Sequence, residues 1–230
     1  MAFGRVSVAG VLKEDVVARR WTVGVAGGSG SGKSLFARAL AERLAPRTVA
    51  LISEDDYYRS FSGPDFDPAR FDFDDPSALD HPQLADHLHQ LRDGVAIARP
   101  VYGFRFHRPL KRRVAVQPVD VVIVEGLHVL HDPAVRAALD YRIFLEVDAD
   151  LRFIRRLLRD TRERGRSVRS VTDQYLATVK PAYDRCVAPT KAQADLVLTY
   201  EAGEGDRDAA NLARWLDQTH DAFSALIRSG

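Results

Sequence analysis

Cysteine is almost absent: Cys186 is the one cysteine in 230 residues. That excludes a disulfide within the chain and a metal cage built on several thiolates, and it suits a reducing compartment. An excess of charge of either sign is missing too. The 33 Lys and Arg residues face 32 Asp and Glu, for a formal net of +1, so no global basic field draws the chain to nucleic acid or anionic lipid. Apolar runs are short, and none approaches the ~20 residues needed to span a bilayer. The opening stretch MAFGRVSVAGVLKEDVVARRW carries acids and lacks a continuous apolar segment. No signal peptide is expected, and a cytoplasmic location is. There are no internal repeats and no low-complexity linkers. What remains is an ordinary globular composition, 46% apolar and 28% charged. The length suits one domain with appended lobes.

Short runs rich in Val, Ile, Leu and Phe lie at residues 22–26, 48–52, 119–124, 142–147 and 195–199. Continuous apolar runs of this kind predict strands covered on both faces. Helical patterns separate them at 33–44, 76–92, 133–139, 150–164 and 168–180, with an amphipathic stretch over 207–228. The alternation predicts an α/β fold with a doubly wound parallel sheet. Residues 95–118 break it and read as a β-hairpin off the sheet. Residues 55–75, rich in Asp, Phe and Pro, have no clear period and read as a long ordered loop.

One stretch carries chemistry on its face. Residues 27–34, GGSGSGKS, fit the phosphate-binding pattern G-x-x-x-x-G-K-[ST], with an apolar strand before and a helix after. Gly28, Gly30 and Gly32 let the backbone approach an anion. The N–H groups of Ser29, Ser31 and their neighbours form a concave nest, which the helix starting near Leu35 reinforces with its positive end. Lys33 can reach β- and γ-phosphates, and the Ser34 hydroxyl can hold Mg²⁺. Glu125 ends the buried run VDVVIVEG, where open α/β sheets bind ligands, and is a second candidate for orienting the metal. Asp55 and Asp56 follow the second strand. Either could take the proton of an attacking hydroxyl and touch the metal, and spacing alone does not separate them. Eight arginines crowd residues 152–169. Such density reads as a lid over phosphate charge or as a solvated basic face. Nucleic-acid binding is disfavoured by the balanced overall charge and the lack of interleaved aromatics.

Several separated motifs, in order, resemble the uridine kinases (uridine–cytidine kinases) of the P-loop nucleoside kinase group. They are GGSGSGKS, SEDDYYR at 53–59, FDDPSALD at 73–80, PVYGFRFHR at 100–108, VIVEG at 122–126, RRLLRDTRERGRS at 155–167 and QYLATVKPAYDRCVAPTKAQADLVL at 174–198. The resemblance spans roughly residues 22–200. It implies a single P-loop NTPase-type domain over 1–230, with an N-terminal extension at 1–20, a hairpin substrate lobe at 95–118 and an Arg-rich lid at 150–170. By the same resemblance Asp55 is the base for a sugar 5′-hydroxyl and lies near the metal. Tyr58 lies near the substrate, Asp74 bonds ribose hydroxyls, and Tyr102, Phe104 and His107 line a pyrimidine pocket. Arg156 and Arg159 are lid arginines, Arg164 contacts phosphate, and Arg166 and Gln174 lie on the nucleoside side. Lys33, Ser34 and Glu125 serve ATP (or GTP) and Mg²⁺. The family pattern has His where this chain has Asp75. The implied activity is phosphorylation of uridine, and of cytidine, to the monophosphate by a homotetramer. The competing readings are a kinase for another small alcohol, such as a phosphorylated pentose or pantothenate, and a nucleotide-dependent switch.

Overall fold

The structure, a computed structural model, describes residues 19–61, 71–104, 106–201 and 206–229. The N-terminal extension up to residue 18, Arg105 and the middle of the 55–75 loop lie outside the described residues.

Five strands form one parallel sheet in the order β2-β5-β1-β6-β7. They are β1 Trp21–Gly27, β2 Val49–Ser53, β5 Val121–Gly126, β6 Tyr141–Glu146 and β7 Leu196–Thr199. Every residue of β1 is buried, because β5 and β6 flank it and helices cover both faces. Alternate side chains go to opposite faces. Val121 and Ile123 join Val23 and Val25 beneath α1 (Lys33–Arg43) and the long helix α7 (Arg207–Ser229). Val122 and Val124 join Ile52 and Phe144 against α2 (His81–Arg92) and α3 (Pro133–Ala137). Two-sided burial is the reason these strands read as unbroken apolar runs. The strand order reverses across β1, so the carboxyl ends of β1, β2 and β5 open on the crevice where such sheets bind ligands.

The expected helix over 76–92 is two pieces. Asp75 accepts from Ser77 N at 2.9 Å and caps a single 3₁₀ turn, Pro76–Ala78. The chain then extends through Leu79, which pairs with Tyr58, before Asp80 caps α2 by accepting from Gln83 N. The segment DPSALDHPQ holds two start signals, each an acid ahead of a proline that favours a first turn.

The hairpin appears as β3 (Ile97–Gly103) antiparallel to β4 (Arg108–Val116), with a register shift between Pro100 and Tyr102. Asp56 ties it to the end of β2 by pairing with Arg99 and accepting from Tyr102 N at 3.2 Å. The arginine segment starts as α4 (Ala149–Arg162) and continues in α5 (Val168–Gln174). Two π-helical turns follow, Tyr175–Val179 and Tyr183–Val187, around the single turn α6 (Lys180–Ala182). Pro181 lies in that turn, and its missing N–H and bulky ring oppose a regular α-ladder there. The helix expected over 168–180 is therefore helical throughout but widened in its second half.

Candidate active site

The phosphate-binding loop closes on itself at the carboxyl end of β1. Ser31 N donates to Gly28 O at 3.1 Å, and Lys33 Nζ folds back to donate to the same carbonyl at 3.1 Å. Gly30 and Gly32 hold φ of 84° and 92°, a region costly for other residues. At Gly30 space is also decisive, since a Cβ would lie 2.3 Å from the carbonyl oxygen of Arg152. Arg152 is not part of a solvated basic face. It is 3% exposed beneath the loop, donates from Nε to Val147 O at 2.9 Å, and sets its guanidinium 3.9 Å from the Tyr183 ring centre. At Gly32 a Cβ would meet no protein atom within 4 Å, so the concavity above the helix start is open to a ligand.

Glu125 faces this loop from the end of β5. Its Oε1 accepts from Ser34 Oγ at 3.0 Å and from Ser53 Oγ at 3.2 Å. Asp55, in the 3₁₀ turn Glu54–Tyr57 directly after β2, is half-buried. Burial, with the nearby carboxylates of Glu125 and Glu54, pushes its carboxyl up to about 7 despite Lys33 and Arg164. Burial lowers Lys33, against the pull of Glu125 and Asp55. The choice between the adjacent aspartates is thus resolved by surroundings: Asp56 is spent on Arg99 and the Tyr102 amide, while Asp55 faces the loop lysine. Glu54, fully buried, anchors the turn. It accepts from His81 Nε2 at 2.9 Å and from His128 N at 2.8 Å. Glu54 and Ser53 escaped the sequence reading, and Arg152 was read there only as one of the lid or surface arginines, because nothing local distinguishes a buried anchor from a solvated polar residue.

Ser34, Asp55 and Glu125 present oxygen atoms alone, the donor type a hard cation such as Mg²⁺ takes. Among the described residues no group of three His, Cys, Asp or Glu side chains forms a metal cage. Mg²⁺ needs none, since it is held by one or two carboxylates together with substrate phosphates and water.

On the other side of Asp55 lies an aromatic cluster. Tyr58 donates to Phe73 O at 2.8 Å, and its ring centre is 5.1 Å from that of Tyr102. The Tyr102 hydroxyl is buried without a hydrogen-bond partner among the described residues, and burial with the charge of Asp55 pushes it up to about 12. His107, at φ 49°, lies 5.5 Å from Phe73 with the rings 31° apart. Phe104 meets Tyr102 edge-on at 5.3 Å and is half exposed, with Arg164 at 5.8 Å from its ring centre. Phe73 is an addition to the expected set, and its place beside Asp74 was the available signal. Asp74 is buried and raised, burial outweighing the charge of Arg156, and accepts from Thr178 Oγ1 at 3.4 Å.

The arginines divide by role. Arg156 donates to Ser29 Oγ of the loop at 2.9 Å and to Gln174 Oε1 at 2.9 Å. Arg166 donates to the same Gln174 oxygen at 2.6 Å. Arg159 and Arg164 turn to Asp160 at 2.9 and 3.4 Å. Arg155 points away, to Asp208 and the Tyr200 ring, and Arg169 is fully exposed beside Asp173. Lys33, Ser34, Glu125 and Asp55 thus gather on the loop side, and Tyr58, Asp74, Tyr102, Phe104 and His107 on the aromatic side, where Arg164 lies near the Phe104 ring. Arg156 and Gln174 bridge the two.

Comparison with known proteins agrees with this architecture. The model for the Phosphoribulokinase / Uridine kinase family matches residues 22–202. A uridine kinase from Geobacillus sp. (strain WCH70) is 41% identical over 177 residues, 76% of this chain and 84% of that one. A uridine kinase from Lactobacillus johnsonii is 41% identical over 186 residues, 80% of this chain and 88% of that one. Among solved structures, a putative fructose transport system kinase from Silicibacter sp. TM1040 superposes with a TM-score of 0.64 at 22% identity, over 80% of this chain and 92% of that one. The phosphoribulokinase from Rhodobacter spheroides superposes with a TM-score of 0.60 at 17% identity, over 79% and 70%. At such identities these two speak for the fold alone.

Proposed function

The chain belongs to the Phosphoribulokinase / Uridine kinase family, and from that premise we propose that it transfers the γ-phosphoryl group of ATP, or GTP, to the 5′-hydroxyl of uridine and cytidine. The observation that carries this reading is Asp55, raised to about 7, between the phosphate-binding lysine and a cluster of aromatic rings. A flat, polar-edged pyrimidine suits an aromatic wall with an unpartnered buried hydroxyl, that of Tyr102. A sugar phosphate would instead require basic contacts.

The 5′-hydroxyl oxygen attacks the γ-phosphorus while Asp55 takes or orients its proton. The new O–P bond forms as the bond to the β–γ bridging oxygen breaks, and ADP leaves. Lys33 and the loop amides stabilise charge on the transferring group, and Arg159 and Arg164 approach it from the lid side. Asp74 accepts hydrogen bonds from the ribose hydroxyls. Ser34, Asp55 and Glu125 would hold Mg²⁺, which when bound offsets charge on the phosphate oxygens.

A coupled assay across uridine, cytidine, 2′-deoxyuridine, ribulose 5-phosphate and pantothenate tests the proposal. UMP and CMP formed one-for-one with ADP are expected, and 2′-deoxyuridine should turn over poorly because one Asp74 acceptor site stays unpaired. Preference for ribulose 5-phosphate or pantothenate, or ATP hydrolysis indifferent to any acceptor, would overturn it. The homotetramer implied by the resemblance is read directly by light scattering. No helix among the described residues is long and apolar enough to cross a membrane.

A further inference from the structure

We propose that Asp160 is a positioning residue: its buried carboxylate gathers four arginines and holds two of them, Arg156 and Arg159, from the Nε side, so that their forks are left for the phosphate loop and the phosphates. The proposal rests on the phosphoryl-transfer reading of this site. Asp160 has no solvent exposure. Arg159 Nε donates to Oδ1 at 2.9 Å, and Arg164 NH1 lies 3.4 Å from the same oxygen. Arg166 NH1 and Arg156 Nε lie 3.5 and 3.8 Å from Oδ2. The Asp160 main chain takes part as well. Its carbonyl accepts from Arg166 N at 3.0 Å and closes the turn that brings residues 164 and 166 back to the site.

Helix stability does not explain an acid here. Asp160 sits in the last turn of α4, where the helix dipole disfavours negative charge. The cations around it do explain it. Four guanidiniums crowded at one buried point repel one another, and a shared carboxylate keeps them together before any phosphate arrives. The geometry also leaves the arginines usable. Arg156 and Arg159 approach Asp160 through Nε, not through the fork. The fork of Arg156 is then free to reach Ser29 of the phosphate loop and Gln174. The fork of Arg159 has no hydrogen bond to protein among the described residues. A chain of contacts runs Asp160–Arg166–Gln174–Arg156–Ser29, so one carboxylate sets the lid against the loop.

The test compares wild type, Asp160→Asn and Asp160→Glu. It reads kcat and KM for uridine, the affinity for the non-hydrolysable β,γ-imido analogue of ATP by calorimetry, and folding by circular dichroism. Asp160→Asn should lower kcat about 100-fold, the scale of an ångström-level misplacement of catalytic groups. Analogue affinity should stay within about threefold, because the loop that binds the nucleotide is intact and the arginines are no longer neutralised. Asp160→Glu keeps the charge but displaces it, so about a tenfold loss is expected, again with affinity held. Should Asp160→Asn not fold, Asp160→Glu decides by the same two readouts. Wild-type kcat in a folded variant, or affinity and fold lost in step with kcat, would overturn the proposal while leaving the kinase reading intact. A wild-type protein that makes no nucleoside monophosphate would sink both.

Discussion

Asp55 shows how surroundings can suit an ordinary acid to the task of a base. An unperturbed aspartate has too low a pKa to take a proton usefully at neutrality, and raising it to about 7 matches it to that task. The same shift has a cost in stability. The folded carboxyl titrates near 7 and the unfolded one near 3.8, so between these values the native state holds the extra proton. Stability is thus unaffected by Asp55 below the unfolded value, falls as pH rises between the two, and carries the full penalty above 7. Asp55→Asn should cut turnover by about 10²- to 10⁴-fold, the usual worth of a general base. It should also raise Tm at pH 8 but not at pH 4, with nucleotide and metal removed. Melting curves at the two pH values check this, and an unchanged Tm at pH 8 would mean that the native site does not oppose the charge.

At the scale of elements, the phosphate loop lies on the first turn of α4 with no room between them. Gly30 combines positive φ with a Cβ position 2.3 Å from main chain, whereas Gly32 has positive φ alone. Gly32→Ala should cost about 1–2 kcal/mol, the price of a left-handed backbone in a residue with a side chain. Gly30→Ala should cost clearly more and abolish ATP binding, since the loop must lift off Arg152. Chemical denaturation with isothermal titration reads both variants, and equal losses would contradict the packing described. The glycine pattern announced this loop in the sequence because its chemistry is local, eight consecutive residues and their own backbone. The break between Ala78 and His81 was also written locally, in two acid–proline pairs, yet apolar periodicity alone merges the pieces. The π-turns at 175–187 carry no periodic signal, because a widened turn shifts every later side chain off the 3.6-residue pattern.

Across the whole molecule, the face of the sheet behind the phosphate loop depends on a helix beyond the matched residues 22–202. Trp215 and Phe223 of α7 are almost fully buried. Trp215 meets Phe36 of α1 edge-on at 6.2 Å and donates from Nε1 to Thr199 O at 3.1 Å. Phe223 meets Trp21 of β1 at 5.8 Å. Since α1 begins at Lys33, the core under α7 also holds the lysine in place. Trp215→Ala should cost about 3–5 kcal/mol in urea unfolding, as for other buried aromatics. A loss below about 1 kcal/mol would mean that α7 is dispensable to the core.

The sequence by itself determined the parallel sheet, the hairpin, the phosphate loop and the residues that resemble a kinase site. Strands buried on both faces must be apolar throughout, and a backbone anion cradle must be glycine-rich, so both leave marks within a few consecutive positions. The resemblance singled out Asp55 where spacing alone did not; only the tertiary structure supplied the physical reason, with Asp55 beside Lys33 and Asp56 tied to Arg99, and decided which arginines point inward and that Asp160, Glu54 and Arg152 are buried. The role of a charge depends on its dielectric surroundings and on partners brought from other elements, and neither is written beside it in the chain.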